Sequence, residues 1–431
     1  MRVEVRTSLA IELIEESTMH HHRILALAAI LLATPALPAQ APQFPDGPGK
    51  EIVQTRCGIC HQLSFARSTA YDAAGWRQRL HQMRNMGLPV TDAEFETVAN
   101  YLAAINPERP RPAAVILPGP AQVSIREWPM PAEGAFARDT ALAADGTFWI
   151  SAQFLNELLH FDPRSGTFTR HKLPVFNSGP AGVDADKDGN IWYAANFAGR
   201  FYNPAHIGRF NPATGEFRQF NMPEGRAADP TELSLAPNGM IWFAAQNAGD
   251  VGRLDPATGE ISFIAMPAPD ATPFSIAFDS AGVPYVGLRD AGKIGRIDPA
   301  AMTLTEFALA DPRSEPRRIA IGEGGIVWYT DIDRAFLGRL DPATGAVKEY
   351  ASPSGAGAEP HGIAIRDGIV WYVEAAARPN TLVRFDPARE SFQTFPLSGF
   401  ATVREIAVTE DGALAFAMGT LNGFAMVEVR D

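Results

Sequence analysis

Residues 238–265 read NGMIWFAAQNAGDVGRLDPATGEISFIA, and this stretch decides the fold. A turn at Asn238-Gly239 leads into an apolar strand carrying Trp242. A later strand ends at Arg253-Leu254-Asp255-Pro256, and the turn Ala257-Thr258-Gly259 opens a last strand over Glu260 to Ala265. Asn-Gly and Asp-Pro dipeptides between short apolar runs are turn signals between antiparallel strands. The first turn recurs at Asp145-Gly146, Asp188-Gly189, Ala281-Gly282, Gly324-Gly325, Asp367-Gly368 and Asp411-Gly412, so that successive copies lie 43, 50, 43, 43, 43 and 44 residues apart. Each copy leads into a strand bearing Trp149, Trp192, Trp242, Tyr285, Trp328 or Trp371, with Ala415 in the seventh. Four short strands per period of about 43 residues are the mark of a propeller blade. The expectation is an all-β seven-bladed β-propeller over residues 121–431. The last unit runs out after its third strand at Val427 to Val429, and Val123 to Met130 reads as a fourth strand lacking its own first three. Residues 123–130 are therefore expected to complete blade seven and remove its exposed edge.

Residues that recur in most units read as architecture. Asp162, Asn211, Asp255, Asp298, Asp341 and Asp386 are read as turn formers. Arg209, Arg253, Arg296, Arg339 and Arg384 are assigned to inter-blade hydrogen bonding, with His160 in the same slot of blade one. Aligning the units on their first strand puts Arg138, Ala181, Thr231, Phe274, Arg317, His361 and Arg404 at equivalent places at the channel mouth. His361 lies in Glu359-Pro360-His361-Gly362, and Glu374 ends the next antiparallel strand, so Glu359, His361 and Glu374 are expected to converge near the axis. Such a group serves either a general base with an orienting partner or an oxygen-rich divalent-metal site. A pore lining of satisfied hydrogen bonds is the plain structural alternative. Arg138, Arg317 and Arg404 in the same ring suit an anionic or carbonyl-bearing small molecule. An insertion in blade two, Phe197 to Ala205, reads as a lid or an ordinary long loop.

The 431 residues contain two cysteines, and both fall in Arg56-Cys57-Gly58-Ile59-Cys60-His61. Two thiols three residues apart, followed at once by an imidazole, form the c-type haem attachment pattern. Cys57 and Cys60 are read as the thioether ligands of one covalent haem and His61 as its proximal iron ligand; a disulfide or redox pair is the alternative. Trp76 to Met86 reads as a helix, and Thr91-Asp92-Ala93-Glu94 is a capping box opening another whose Phe95, Val98, Leu102 and Ile105 share one face. The sixth iron ligand lies among His81, Met83 and Met86. Gly75, Trp76, Met83, Gly87, Tyr101 and Leu102 resemble the pattern of small cytochrome c domains, and that resemblance implies Met83, with Met86 as the alternative.

Ahead of this domain, Ile24 to Ala33 is a short apolar run after Arg23, and the following small residues end at Ala39-Gln40-Ala41. This is a signal-peptide layout over residues 1–41, with Met19 as the alternative start. The implied mature chain has a cytochrome c domain over 42–106, a Pro-rich linker over 107–120 and no stable membrane anchor. In a Gram-negative host it is periplasmic. The net charge of −12 argues against a nucleic-acid partner.

Pro360-His361-Gly362, then Asp367-Gly368, then Trp371-Tyr372, together with Arg253-Leu254-Asp255-Pro256-Ala257-Thr258-Gly259, resemble the repeats of the virginiamycin B lyase, or streptogramin lyase, family. The resemblance covers 121–431. It implies opening of a cyclic depsipeptide by elimination with magnesium, two histidines and glutamates. On that pattern His361 and Glu374 are candidate catalytic residues and Glu359 a candidate magnesium ligand. The second family histidine falls where this chain has Glu315-Pro316-Arg317-Arg318, so Arg317 takes its place as the third candidate. An arginine cannot act as a neutral acid or base at ordinary pH. The reading reached is an exported c-type cytochrome that transfers electrons to or from a periplasmic redox partner, fused to a propeller that binds a substrate or that partner at its axial channel. The alternative is a magnesium-dependent C–O lyase with an accessory haem domain.

Overall fold

The computed structural model describes residues 44–59, 63, 66, 70–108, 110–198, 204–224, 229–267, 271–399 and 401–430. The leader, Cys60, His61 and most of the blade-two insertion, including Arg200, Phe201 and Tyr202, lie outside the described residues.

Seven four-stranded antiparallel sheets follow one another in sequence order, with strands running consecutively from the innermost outward in the first six. Their innermost strands are Ala137–Leu142, Pro180–Ala185, Glu232–Leu235, Pro273–Phe278, Pro316–Ile321, Pro360–Arg366 and the short Ala407–Val408. The seventh sheet is completed from the other end of the chain. Gln122–Pro129 pairs antiparallel with the C-terminal strand Gly423–Arg430 through eight residue pairs, from Gln122 opposite Arg430 to Pro129 opposite Gly423. Phe424 anchors this seam, fully buried against Phe148, Phe161 and Trp128.

The recurring residues pack as a cross-strand motif. Trp192 stands opposite Arg209, Trp242 opposite Arg253, Trp328 opposite Arg339 and Trp371 opposite Arg384. Trp149 instead faces His160 and stacks on it at 4.7 Å. Arg253 lies 5.6 Å from the Trp242 ring centroid and donates to the Pro299 carbonyl of the next blade at 2.6 Å. The glycine before Arg209, Arg253 and Arg339 is needed because a Cβ there would fall within about 2 Å of a second-strand ring, at Gly208 against Tyr193 (2.0 Å), Gly252 against Phe243 (2.1 Å) and Gly338 against Tyr329 (1.9 Å). The turn-forming carboxylates accept the backbone N–H two residues on, at 2.9 Å for Asp162, 2.8 Å for Asp255 and 2.9 Å for Asp341. These are Asx turns, and they hold the Asp255 and Asp341 carboxyls below their ordinary range.

Among the described residues three α-helices precede the propeller: α1 Lys50–Arg56, α2 Ala73–Asn85 and α3 Asp92–Ile105. The helix read from Trp76 begins earlier because the Asp72 side chain caps it, accepting from the Gly75 N–H at 2.7 Å. The capping box at Thr91 and Glu94 is present. Val53, Cys57, Trp76, Leu80, Phe95, Val98 and Leu102 form one buried core, with Met83 packed against it. At the approach of α1 to α3, a Cβ on Gly49 would lie 2.5 Å from the Tyr101 Cβ, so only glycine allows the contact. Among the described residues no helix is long and apolar enough to cross a membrane.

The Pro-rich segment runs along blade six. Its Pro112 carbonyl accepts from Arg378 N at 3.0 Å, Ala114 N donates to Arg378 O at 3.1 Å, and Leu117 N donates to Thr394 Oγ1 at 2.7 Å. Removing a fully buried ring of this size costs about 3–5 kcal/mol. Phe424→Ala is therefore expected to lower the unfolding free energy by about that amount in chemical denaturation, since it empties the seam that joins the two ends of the propeller.

Candidate functional site at the channel mouth

The pairing register of the innermost strand shifts near its start in five blades, between Ala137 and Thr140, Pro180 and Val183, Pro273 and Ile276, Pro316 and Arg318, and Pro360 and Ile363. A bulge interrupts the alternation of faces and re-aims side chains. Consecutive residues can then both turn toward the axis. The outer layer holds Arg138, Arg317, His361 and Arg404. The next residue inward in blades one, three, five and seven supplies Asp139, Glu232, Arg318 and Glu405.

Arg318 reaches across the inner layer. Its Nη1 and Nη2 donate to the two carboxylate oxygens of Glu232 at 3.1 Å each, and Nη1 also donates to Glu405 at 3.0 Å. Asp139 stands 3.9 Å from Nη2. Burial alone pulls the Arg318 pKa down, but Glu232, Glu405 and Asp139 outweigh it and the net shift is upward. Burial also raises the carboxyls: Asp139 well above its ordinary value, with Glu232 adding repulsion, and Glu405 to about 7 against the pull of Arg318. Burial lifts Asp184 to about 6, although it accepts from the Leu235 and Ala185 N–H groups. These residues line an axial cavity of about 300 Å³, and Val183, Leu233, Ile276, Ile319, Ile363 and Ile406 form its apolar part further along the strands.

The outer layer is cationic. Arg138 lies 3.7 Å from Glu232, and its Nη1 donates to Gln153 at 3.4 Å. Arg317 stacks on Phe274 at 4.7 Å and Arg404 on Phe136 at 5.5 Å. Burial brings the Arg317 pKa down to about 10, reinforced by Arg289, Arg318 and Arg138, so it remains charged at neutral pH. His361 is 2% exposed, and among the described residues neither ring nitrogen has a hydrogen-bond partner. Burial, then Arg317, Arg404, Arg318 and Arg138, hold its pKa well below the ordinary value, so the ring is neutral.

His361 and Arg317 thus come to the mouth, while the carboxylates of Glu359 and Glu374 are engaged elsewhere. Glu374 is fully buried and accepts from Ser352 Oγ at 2.8 Å, Ser354 N at 2.8 Å, Ser354 Oγ at 2.5 Å and Thr381 Oγ1. Glu359 accepts from Arg111 of the Pro-rich segment at 2.9 Å. Its φ of 52° is matched at the same place in other blades by Phe136 (48°), Gly179 (57°) and Thr272 (45°), so the left-handed residue belongs to the way the chain turns into a blade. This arrangement does not fit magnesium. The donors around Glu374 occupy its lone pairs, Glu359 is held by a guanidinium, and His361 faces four arginines. Among the described residues no three His, Cys, Asp or Glu side chains group to hold a metal ion.

The inner layer was readable one column further along the blade alignment, where Asp139, Glu232, Arg318 and Glu405 stand. Strict alternation hid it. The helical segment also meets this face of the propeller. Asn85 Nδ2 at the end of α2 donates to the Glu133 carbonyl at 3.0 Å, and Arg79 lies 5.6 Å from the Phe136 ring that also carries Arg404.

Fold and mouth together define a seven-bladed propeller with a charged axial site. Residues 200–425 match the virginiamycin B lyase family, and the chain belongs to that family. Among solved structures, the virginiamycin B lyase of Staphylococcus aureus is 22% identical, with a TM-score of 0.64 over 71% of this chain and 99% of that one. A catalytically inactive histidine-to-alanine variant of that enzyme, solved with quinupristin, is 23% identical with a TM-score of 0.64, over 71% of this chain and 99% of that one. The hydrazine synthase of Kuenenia stuttgartiensis is 13% identical with a TM-score of 0.56, over 69% of this chain and 95% of that one. At these identities the likeness is one of fold. No curated protein matches the chain.

A carboxyl with a raised folded-state pKa binds more protons folded than unfolded. For Glu405 the window runs from about pH 4, the unfolded value, to about 7, and its contribution to stability falls as pH rises through it. Glu405→Gln is expected to lose less stability between pH 5 and pH 8 than the parent chain does, as read from urea midpoints at the two pH values. An unchanged pH slope removes Glu405 from the account.

Proposed function

We propose that this chain is an exported c-type cytochrome that transfers electrons, with its haem-bearing helical domain set beside the mouth of a propeller that receives a small ligand or a redox partner. The observation that carries this reading is the coincidence of the Cys57-Gly58-Ile59-Cys60-His61 motif with an unsatisfied buried donor in the same helical core. Trp76 is 1% exposed and its indole N–H has no partner among the described residues. Such a donor normally finds an acceptor, and a prosthetic group that carries carboxylates would supply one. Cys57 on the turn after α1 and Met83 at the edge of the core also fit a haem. In this reading Cys57 and Cys60 hold the group covalently, and His61 and Met83 are its axial ligands, with Met86 the alternative for the sixth position. When bound, haem supplies one-electron chemistry. The remaining helical residues seal it from water: Leu80, Phe95, Val98 and Leu102 are all buried.

The lyase reading has less support. Arg317 stays protonated where the family pattern has a histidine, and the two glutamates of that pattern are committed to other partners.

Acid-acetone extraction of the protein matured in the periplasm is expected to leave haem absorbance with the polypeptide. Its complete loss to the solvent contradicts the reading. Met83→Ala is expected to abolish the low-spin Met-ligated spectrum while Met86→Ala retains it; the reverse pattern assigns the sixth position to Met86.

A further inference from the structure

The three arginines of the outer layer are not balanced by their surroundings. Among the described residues neither Arg317 nor Arg404 forms an ion pair, and Arg138 reaches only Glu232, which Arg318 already engages in a bidentate pair. Arg317 Nε has no hydrogen-bond partner, and His361 beside these groups has both ring nitrogens unsatisfied at 2% exposure. Like charges held together in a partly buried ring destabilise the empty protein. An anion relieves that repulsion and satisfies the imidazole, which in its neutral form offers one donor and one acceptor.

We propose that the mouth binds a small aromatic monocarboxylate, with its carboxylate held by Arg138, Arg317, Arg404 and His361. This rests on the reading of the mouth as a ligand site given above and does not depend on haem. The inner layer argues for a single negative charge, because its one cation, Arg318, is already engaged by Glu232 and Glu405 and offers nothing to a second anionic group passing further down the axis. Aromatic faces argue for the rest of the ligand. Phe274 and Phe136 carry Arg317 and Arg404, and Phe154 stands edge-on to Phe136 at 5.5 Å. Phe136 also borders a second cavity, of about 320 Å³, between α2 and the propeller, where Tyr71, Arg79 and Leu421 are among the lining residues. None of Arg138, Arg317, Arg404 and His361 lines that cavity, whose own lining includes Asp72 and Glu108, so the ring of the ligand is placed at the mouth, against Phe136 and Phe274. A guanidinium stacked on a ring keeps its N–H edge free, the geometry suited to bidentate grip of a carboxylate.

The test is calorimetric titration of benzoate into the full-length, haem-loaded protein, with benzylamine and inorganic phosphate as comparators. Benzoate is expected to bind at one site per chain, with affinity reduced about tenfold or more by Arg404→Gln and by Arg317→Gln. Benzylamine is expected not to bind. The unliganded variants are expected to melt no lower than the parent, since each removes a repelling charge, which separates loss of binding from loss of fold. No benzoate binding, binding to both variants as tight as to the parent, or phosphate binding more tightly than benzoate overturns the proposal. Benzoate binding to protein matured in the periplasm that lacks covalent haem supports this site while contradicting the cytochrome reading; haem without benzoate binding contradicts the site alone.

Discussion

Closing seven innermost strands into a ring brings Asp139, Glu232 and Glu405 from three different blades to one axis, the first two buried and Glu405 partly exposed. Left alone, such a group would repel itself and resist ionisation. The Arg318 guanidinium from a fourth blade meets that constraint by donating to Glu232 and Glu405 at 3.0–3.1 Å, and Asp139 lies within 4 Å of it. Removing one partner from a buried ionic group of this kind typically costs about 3–5 kcal/mol. The pair also has a consequence one layer outward. Because Glu232 and Glu405 are committed to Arg318, little negative charge remains for Arg138, Arg317 and Arg404, and the mouth stays cationic in a chain whose net charge is −12.

The propeller was legible because its information is local and repeated. An Asp-Gly turn, an aromatic second strand and an Arg-Leu-Asp-Pro end each specify a short segment, and seven similar segments leave few architectures open. The completion of the last sheet by Gln122–Pro129 followed from counting strands. The site was only partly legible. His361, Arg317, Arg138 and Arg404 came from the blade alignment, since they break a repeat at one column. Asp139 and Arg318 of the inner layer were missed because alternation assigns each neighbouring residue to the opposite face, and the register shift in their strands cancels that rule. Glu374 was placed at the right strand end, but a strand end does not say toward which neighbour a side chain turns. Its carboxylate goes to Thr381 on the next strand of its own blade and to Ser352 and Ser354 on the segment leading into that blade, contacts that no repeat pattern encodes.

The helical segment was legible through its capping box and apolar face, whereas its position was not. Asn85, Gln78 and Arg79 on α2 meet Glu133 and Phe136, and the Pro-rich segment lies along blade six instead of standing free. Proline suits such a course because it lacks the N–H that a central strand would need. The result puts α2, Phe136 and Arg404 in one line of contact, from the domain bearing the haem motif to the mouth of the channel. Family membership describes the scaffold, and the residues at the mouth decide what the scaffold holds.

The most direct measurement of that account is anomalous diffraction at the bromine edge from crystals of the haem-loaded full-length chain grown with para-bromobenzoate. The account places one bromine peak per chain beside Phe136 and Phe274, with the carboxylate on Arg138, Arg317 and Arg404. A bromine peak elsewhere on the molecule with a vacant mouth, or a divalent metal ion held there by Glu359, His361 and Glu374, would contradict it.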